Sequence, residues 1–143
     1  MSCISFLTPE QRATLGQVTC ELSPEEVLAA HPMPPVTEGT LRRIRLMAAS
    51  PDPKIRAAAA SKRQAPPETL AALASDADPA VRGTVARNES AGPEVLWRLA
   101  ADEAAQVRGW VAANRTCPSE LLDRLAGDPD ETVRKVVAWA RAW

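Results

Sequence analysis

The side chains best placed to do chemistry are four arginines and three aspartates that recur at one interval. Arg56, Arg82, Arg108 and Arg134 stand 26 residues apart, and Ser50, Asp76, Asp102 and Asp128 each precede one of them by six residues. A guanidinium forks onto a carboxylate, and it forks equally well onto a phosphate. Arginines alone would point to phosphate contacts. Three of these four travel with an aspartate, which favours a structural ladder. Each guanidinium would bind the carboxylate of its own unit or of the next, and satisfy backbone groups at the turn. Ser50 replaces the aspartate in the first unit, so Arg56 is expected to be freer than the rest.

Other reactive groups are few. His31 is the one histidine, and Cys3, Cys20 and Cys117 are the three cysteines. A lone histidine without clustered ligands builds no zinc site. An odd number of widely spaced thiols argues against a disulfide framework and for a reducing, cytoplasmic setting. Cys117 stands where Ala65 and Ala91 stand in earlier units, and reads as a small buried residue. There is no glycine-rich phosphate loop, nucleophile elbow or histidine–carboxylate arrangement. The expectation is a chain that is not an enzyme and needs no cofactor or metal.

Charge and aromatic residues mark two candidate surfaces. The net charge is −1, yet Arg42, Arg43, Arg45, Lys54, Arg56, Lys62 and Arg63 crowd into one stretch with Asp52 as its one carboxylate. That cluster suits an anion or nucleic-acid backbone. It equally suits the acidic first 40 residues, where Arg12 faces five glutamates. No aromatic residue interleaves it, so base stacking is not indicated. Trp97, Trp110, Trp139 and Trp143 occupy positions that are small or polar in other units. A large apolar side chain outside the core pattern is a candidate interface anchor, although Trp139 and Trp143 could instead close the C-terminal end. Trp110 is the leading candidate partner contact, and Arg87 and Arg115 are further candidates that a nucleic acid would use together with the basic cluster.

These side chains are positioned by a repeat of 26 residues that runs from Ile44 to Ala140 without an insertion. Its first helix carries Ile44/Leu70/Leu96/Leu122, Met47/Leu73/Leu99/Leu125 and Ala48/Ala74/Ala100/Ala126, an i, i+3, i+4 face. Its second carries Ile55/Val81/Val107/Val133, Ala59/Val85/Val111/Val137 and Ala60/Ala86/Ala112/Ala138. The all-alanine column implies close helix approach, which a leucine would overpack. Pro67-Glu68, Pro93-Glu94 and Ser119-Glu120 open the first helix. Asn88 and Asn114 read as left-handed stops after the second.

A fixed period of this length marks a solenoid whose units bury their apolar faces on each other. We therefore expect an all-α chain of four two-helix repeats over residues 41–143. Thr8-Pro9-Glu10 and Ser23-Pro24-Glu25-Glu26 are helix starts, so residues 1–40 read as an N-terminal helical cap, with a separate binding arm as the rival reading. No apolar run suggests a membrane span, and the N-terminus does not read as a secretory leader.

The string Leu-x-x-Leu-Ala-x-Asp, a turn, Val-Arg-x-x-Val-Ala-x-Asn, then a proline before the next leucine resembles the leucine-rich repeat variant family. The resemblance implies a right-handed superhelix of short helices, HEAT-like in style, including an Asp–Arg ladder. It implies nothing about catalysis, since repeat families of this kind mostly bind other macromolecules. The leading expectation is a non-catalytic scaffold binding another protein; the basic first unit gives nucleic-acid binding as the alternative, and the tryptophan-rich C-terminal end gives self-association as a third. One described family member carries an N-terminal iron–sulfur module, which needs four thiolates. Cys3 and Cys20 are too few, so no cluster is expected.

Overall fold

Prolines and short capping residues cut the chain into brief helices. The computed structural model describes residues 36–142. The helix starts at Thr8 and Ser23, together with Cys3, Cys20, His31 and Trp143, lie outside the described residues. Eight α-helices follow one another: α1 Glu38–Ala48, α2 Pro53–Ala60, α3 Pro67–Leu73, α4 Pro79–Arg87, α5 Pro93–Leu99, α6 Ala105–Ala112, α7 Ser119–Leu125 and α8 Glu131–Ala140. Thr37, Asp52, Asp78 and Asp130 cap α1, α2, α4 and α8 by accepting amide hydrogens of the first turn. Proline sits in the first turn of α2 through α5, where its missing N–H costs nothing. No strand occurs among the described residues.

Helices of seven to eleven residues are too short to hold alone in water. They are held by packing in two layers. The second helices of the units, α2, α4, α6 and α8, lie side by side in sequence, while α3, α5 and α7 bridge consecutive members of that row. The stack is an all-helical repeat array, as the period predicts.

The core is shared between units. Leu70, Leu96, Val81, Val85, Ala86, Val107, Val111 and Ala112 are all at most 1% exposed. In the first and last units some counterparts stay buried, among them Ile44, Ala59, Ala60, Val133 and Val137, whereas Ile55 is 41% exposed, Leu122 is half-buried and Ala138 is exposed. A column that the sequence reading passed over, Thr69/Val95/Leu121, is also buried. Each stands four residues before a core leucine on the same helix, which was its available signal.

Asn88 and Asn114 are not left-handed stops. No described residue has a positive φ, and Asn88 is extended at φ −74°, ψ 121°. Their role is to bond neighbouring units.

Candidate functional site

The arginine–aspartate ladder runs forward. Arg56 Nε and Nη2 donate to the Asp76 carboxylate at 2.6 and 2.9 Å, Arg82 to Asp102 at 2.7 and 3.0 Å, and Arg108 to Asp128 at 2.7 and 2.9 Å. Each partner belongs to the next unit. The remaining nitrogen, Nη1, turns back to the arginine's own unit and donates to two turn carbonyls, those of Asp76 and Ala77 in the case of Arg82. Each carboxylate also accepts an amide two residues on: Asp78, Ala104 and Asp130 respectively. Arginine and aspartate together tie a turn to its neighbour.

This geometry corrects one expectation. Ser50 does not free Arg56, because the carboxylate that Arg56 needs is Asp76. Arg134 keeps its backward bonds to the carbonyls of Asp128 and Pro129, at 2.7 and 2.9 Å, and no forward carboxylate pairs with it among the described residues.

The pairs are nearly buried, with side-chain exposures of 10% and 7% for Arg82 and Asp102. Hydrogen bonds from Arg56 and Arg108 hold the Asp76 and Asp128 carboxyls below the usual range. At Asp102 burial pushes upward, but the Arg82 bond, the Ala104 amide and the neighbouring charges outweigh it, and the net direction is down. These guanidiniums are engaged inside the stack and do not present a row to a phosphate.

A second ladder was missed in the sequence. Asn88 Nδ2 donates to the carbonyls of Ala60 and Lys62 at 2.7 and 3.0 Å, and Asn114 Nδ2 to those of Ala86 and Asn88 at 2.7 and 3.1 Å. Each amide oxygen accepts from the residue two further on, Ser90 or Thr116. The asparagines thus satisfy carbonyls orphaned at the end of the preceding unit's second helix. The signal available was a buried-looking polar residue at the repeat period.

The tryptophans separate. Trp110 lies against α4: a Cβ built on Gly83 would stand 3.2 Å from its ring. The Arg87 guanidinium covers the indole at 4.5 Å from the ring centre. Beside Trp110 is a cleft of about 360 Å³ lined by Gly109, Ala105, Ala113, Val133 and Val136. No neighbour would meet a Cβ on Gly109, so the place that Trp110 fills over Gly83 is open one unit further on. Trp97 is 37% exposed on α5, with Arg124 at 5.9 Å. Trp139 is 54% exposed on α8 and lines a different cavity, with Arg115. Trp97, Trp110 and Trp139 therefore do not share a site.

The basic cluster is partly neutralised. Arg45 bonds Glu38 and Glu68, at 3.1 and 3.3 Å, and Arg63 bonds Glu89 at 3.2 Å. Arg42, Arg43, Lys54 and Lys62 are exposed, and none has an ion pair among the described residues. Cys117 is half-buried against the core, and burial pushes its thiol up to about 11, so it is a poor nucleophile near neutrality.

Stacked two-helix units joined by inter-unit ladders define a helical repeat scaffold. The leucine rich repeat variant family model matches residues 53–78 and 105–130. Each window holds one second helix, the link and the following first helix. The windows lie two periods apart in one register, and the chain carries repeats of this family. No curated protein and no solved structure matches the chain. Among the described residues no helix is long and apolar enough to cross a membrane.

Proposed function

We propose that the chain is a non-catalytic scaffold that docks another protein on the face formed by α4, α6 and α8 around Trp110. One observation carries this reading. Trp110 is held between Gly83 and Arg87, and its edge adjoins the open apolar cleft over Gly109. An aromatic side chain fixed in place beside a pocket loses little entropy on binding, which is how interface anchors gain affinity.

The test is affinity capture from the native cytoplasm with and without nuclease. The identified partner is then titrated, as purified protein, against wild type and Trp110→Ala, with circular dichroism to check the fold. The reading expects nuclease-resistant capture, a loss of affinity of at least tenfold in the folded variant and a weak salt effect. Equal affinity for the variant would contradict it. A second reading, nucleic-acid binding, is supported by the four exposed cations Arg42, Arg43, Lys54 and Lys62. It expects nuclease-sensitive capture and an affinity for DNA that falls steeply with salt.

A further inference from the structure

Two shortened side chains open the cleft over Gly109. At the junction of α4 with α6, Trp110 lies over Gly83 of the unit before, and Arg87 covers its ring. One period on, at the junction of α6 with α8, Gly109 takes the place of Gly83, Val136 that of Trp110 and Ala113 that of Arg87. The glycine is kept, while the ring and the guanidinium that filled the space above it are both cut short. Val136 does not reach across: no atom of α8 comes within 4 Å of a Cβ built on Gly109, whereas the Trp110 ring stands 3.2 Å from one built on Gly83. One junction earlier, where Thr84 holds the place of the ring, the residue beneath it is Ala57. Gly109 is therefore a glycine of the kind that seats a ring, without the ring.

Gly109, Ala113 and Val136 are half-buried and border the cleft together with Trp110. Its volume of about 360 Å³ lies in the range of about 300–1,000 Å³ at which clefts enclose a ligand group. We propose that the cleft receives a tryptophan side chain of a partner protein, whose indole takes the place over Gly109 that Trp110 takes over Gly83. The inference rests on the docking face proposed above and names what the partner inserts there. The lining selects a neutral, apolar group. Among its described residues none is a lysine or arginine, so an anion finds no counter-charge. Its one carboxylate, Asp130, caps α8 by accepting the Thr132 and Val133 amides. The remaining wall is mostly small and apolar, and a flat ring fits against a helix backbone that carries no Cβ. Trp110 borders the same cleft, so the incoming indole also gains an aromatic neighbour.

The experiment is an NMR titration of the full chain with N-acetyltryptophanamide and with N-acetylleucinamide. We expect saturable shifts of the Gly109 amide, the Val136 methyls and the Trp110 indole N–H with the tryptophan compound, and clearly weaker binding of the leucine compound. Val136→Trp supplies the ring from within, and should weaken binding of N-acetyltryptophanamide by about tenfold or more. Gly109→Ala places a methyl group where the incoming ring would lie, while meeting no atom of α8, and should weaken it by about threefold. Should Val136→Trp not fold, Gly109→Ala decides the matter. No saturable shift with N-acetyltryptophanamide, equal binding of the leucine compound, or unchanged binding to the folded variants would overturn the ring site. The protein captured through the Trp110 face is then titrated against the same two variants, with loss of affinity expected in both. A partner that loses affinity for Trp110→Ala but binds both cleft variants as it binds wild type would overturn the inserted ring and leave the docking face standing.

Discussion

Asp76, Asp102 and Asp128 each hold a turn of their own unit and an arginine of the unit before. Their carboxyls titrate below the usual range in the folded chain. A carboxyl whose folded pKa lies below its unfolded value, near 3.9, contributes stability above that value and loses it as pH falls through the folded one. Urea midpoints should therefore hold steady from neutrality to about pH 5 and fall below about pH 4, with a shallower fall in Asp102→Asn. Asn114 is the neutral counterpart. Asn114→Ala removes both donors from the Ala86 and Asn88 carbonyls and should cost about 1–3 kcal/mol in urea unfolding. The spacing showed that aspartate and arginine belong together, but it could not give the direction of the pairing. Each central arginine has one aspartate six residues behind and another 20 residues ahead, and only the stacking brings the second within reach. The asparagine bonds were hidden for a similar reason. A residue just past a helix reads locally as a stop, and its acceptors lie 26 and 28 residues back.

The helices are defined by their punctuation, and this scale was the most legible in the sequence. Proline starts, aspartate caps and the leucine, valine and alanine columns located the units of the array because these signals are local or strictly periodic. Exposure was less legible, since Ile55 and Ala138 have the residue types of buried columns and yet are exposed. Two glycines test the packing of the second-helix row. In helix interiors Gly→Ala gains about 1 kcal/mol from propensity. Gly109→Ala meets open space and should show that gain in thermal unfolding. Gly83→Ala presses on Trp110 at 3.2 Å and should show less, or a loss. Ala86, fully buried between rows, should tolerate no growth: Ala86→Leu is expected to destabilise by about 1–3 kcal/mol, and a neutral urea midpoint would place that column at a surface.

At the scale of the molecule, stability is a sum of weak units and the interfaces between them. Two ladders and a shared apolar core carry each interface. The asparagine ladder is interrupted at Ala140, which stands one period after Asn114. The cleft over Gly109 opens where Val136 replaces the tryptophan of the preceding unit, a departure from the repeat and the place to look for a partner. The most direct test of the stacked, forward-bonded arrangement is the coupling energy between Arg82 and Asp102, measured by urea unfolding of Arg82→Met, Asp102→Ala and the double variant, beside the same cycle for Arg82 and Asp76. Forward pairing predicts a coupling of about 1–3 kcal/mol for Arg82 with Asp102 and a clearly smaller one for Arg82 with Asp76. Equal couplings, or a larger one within the unit, would contradict it.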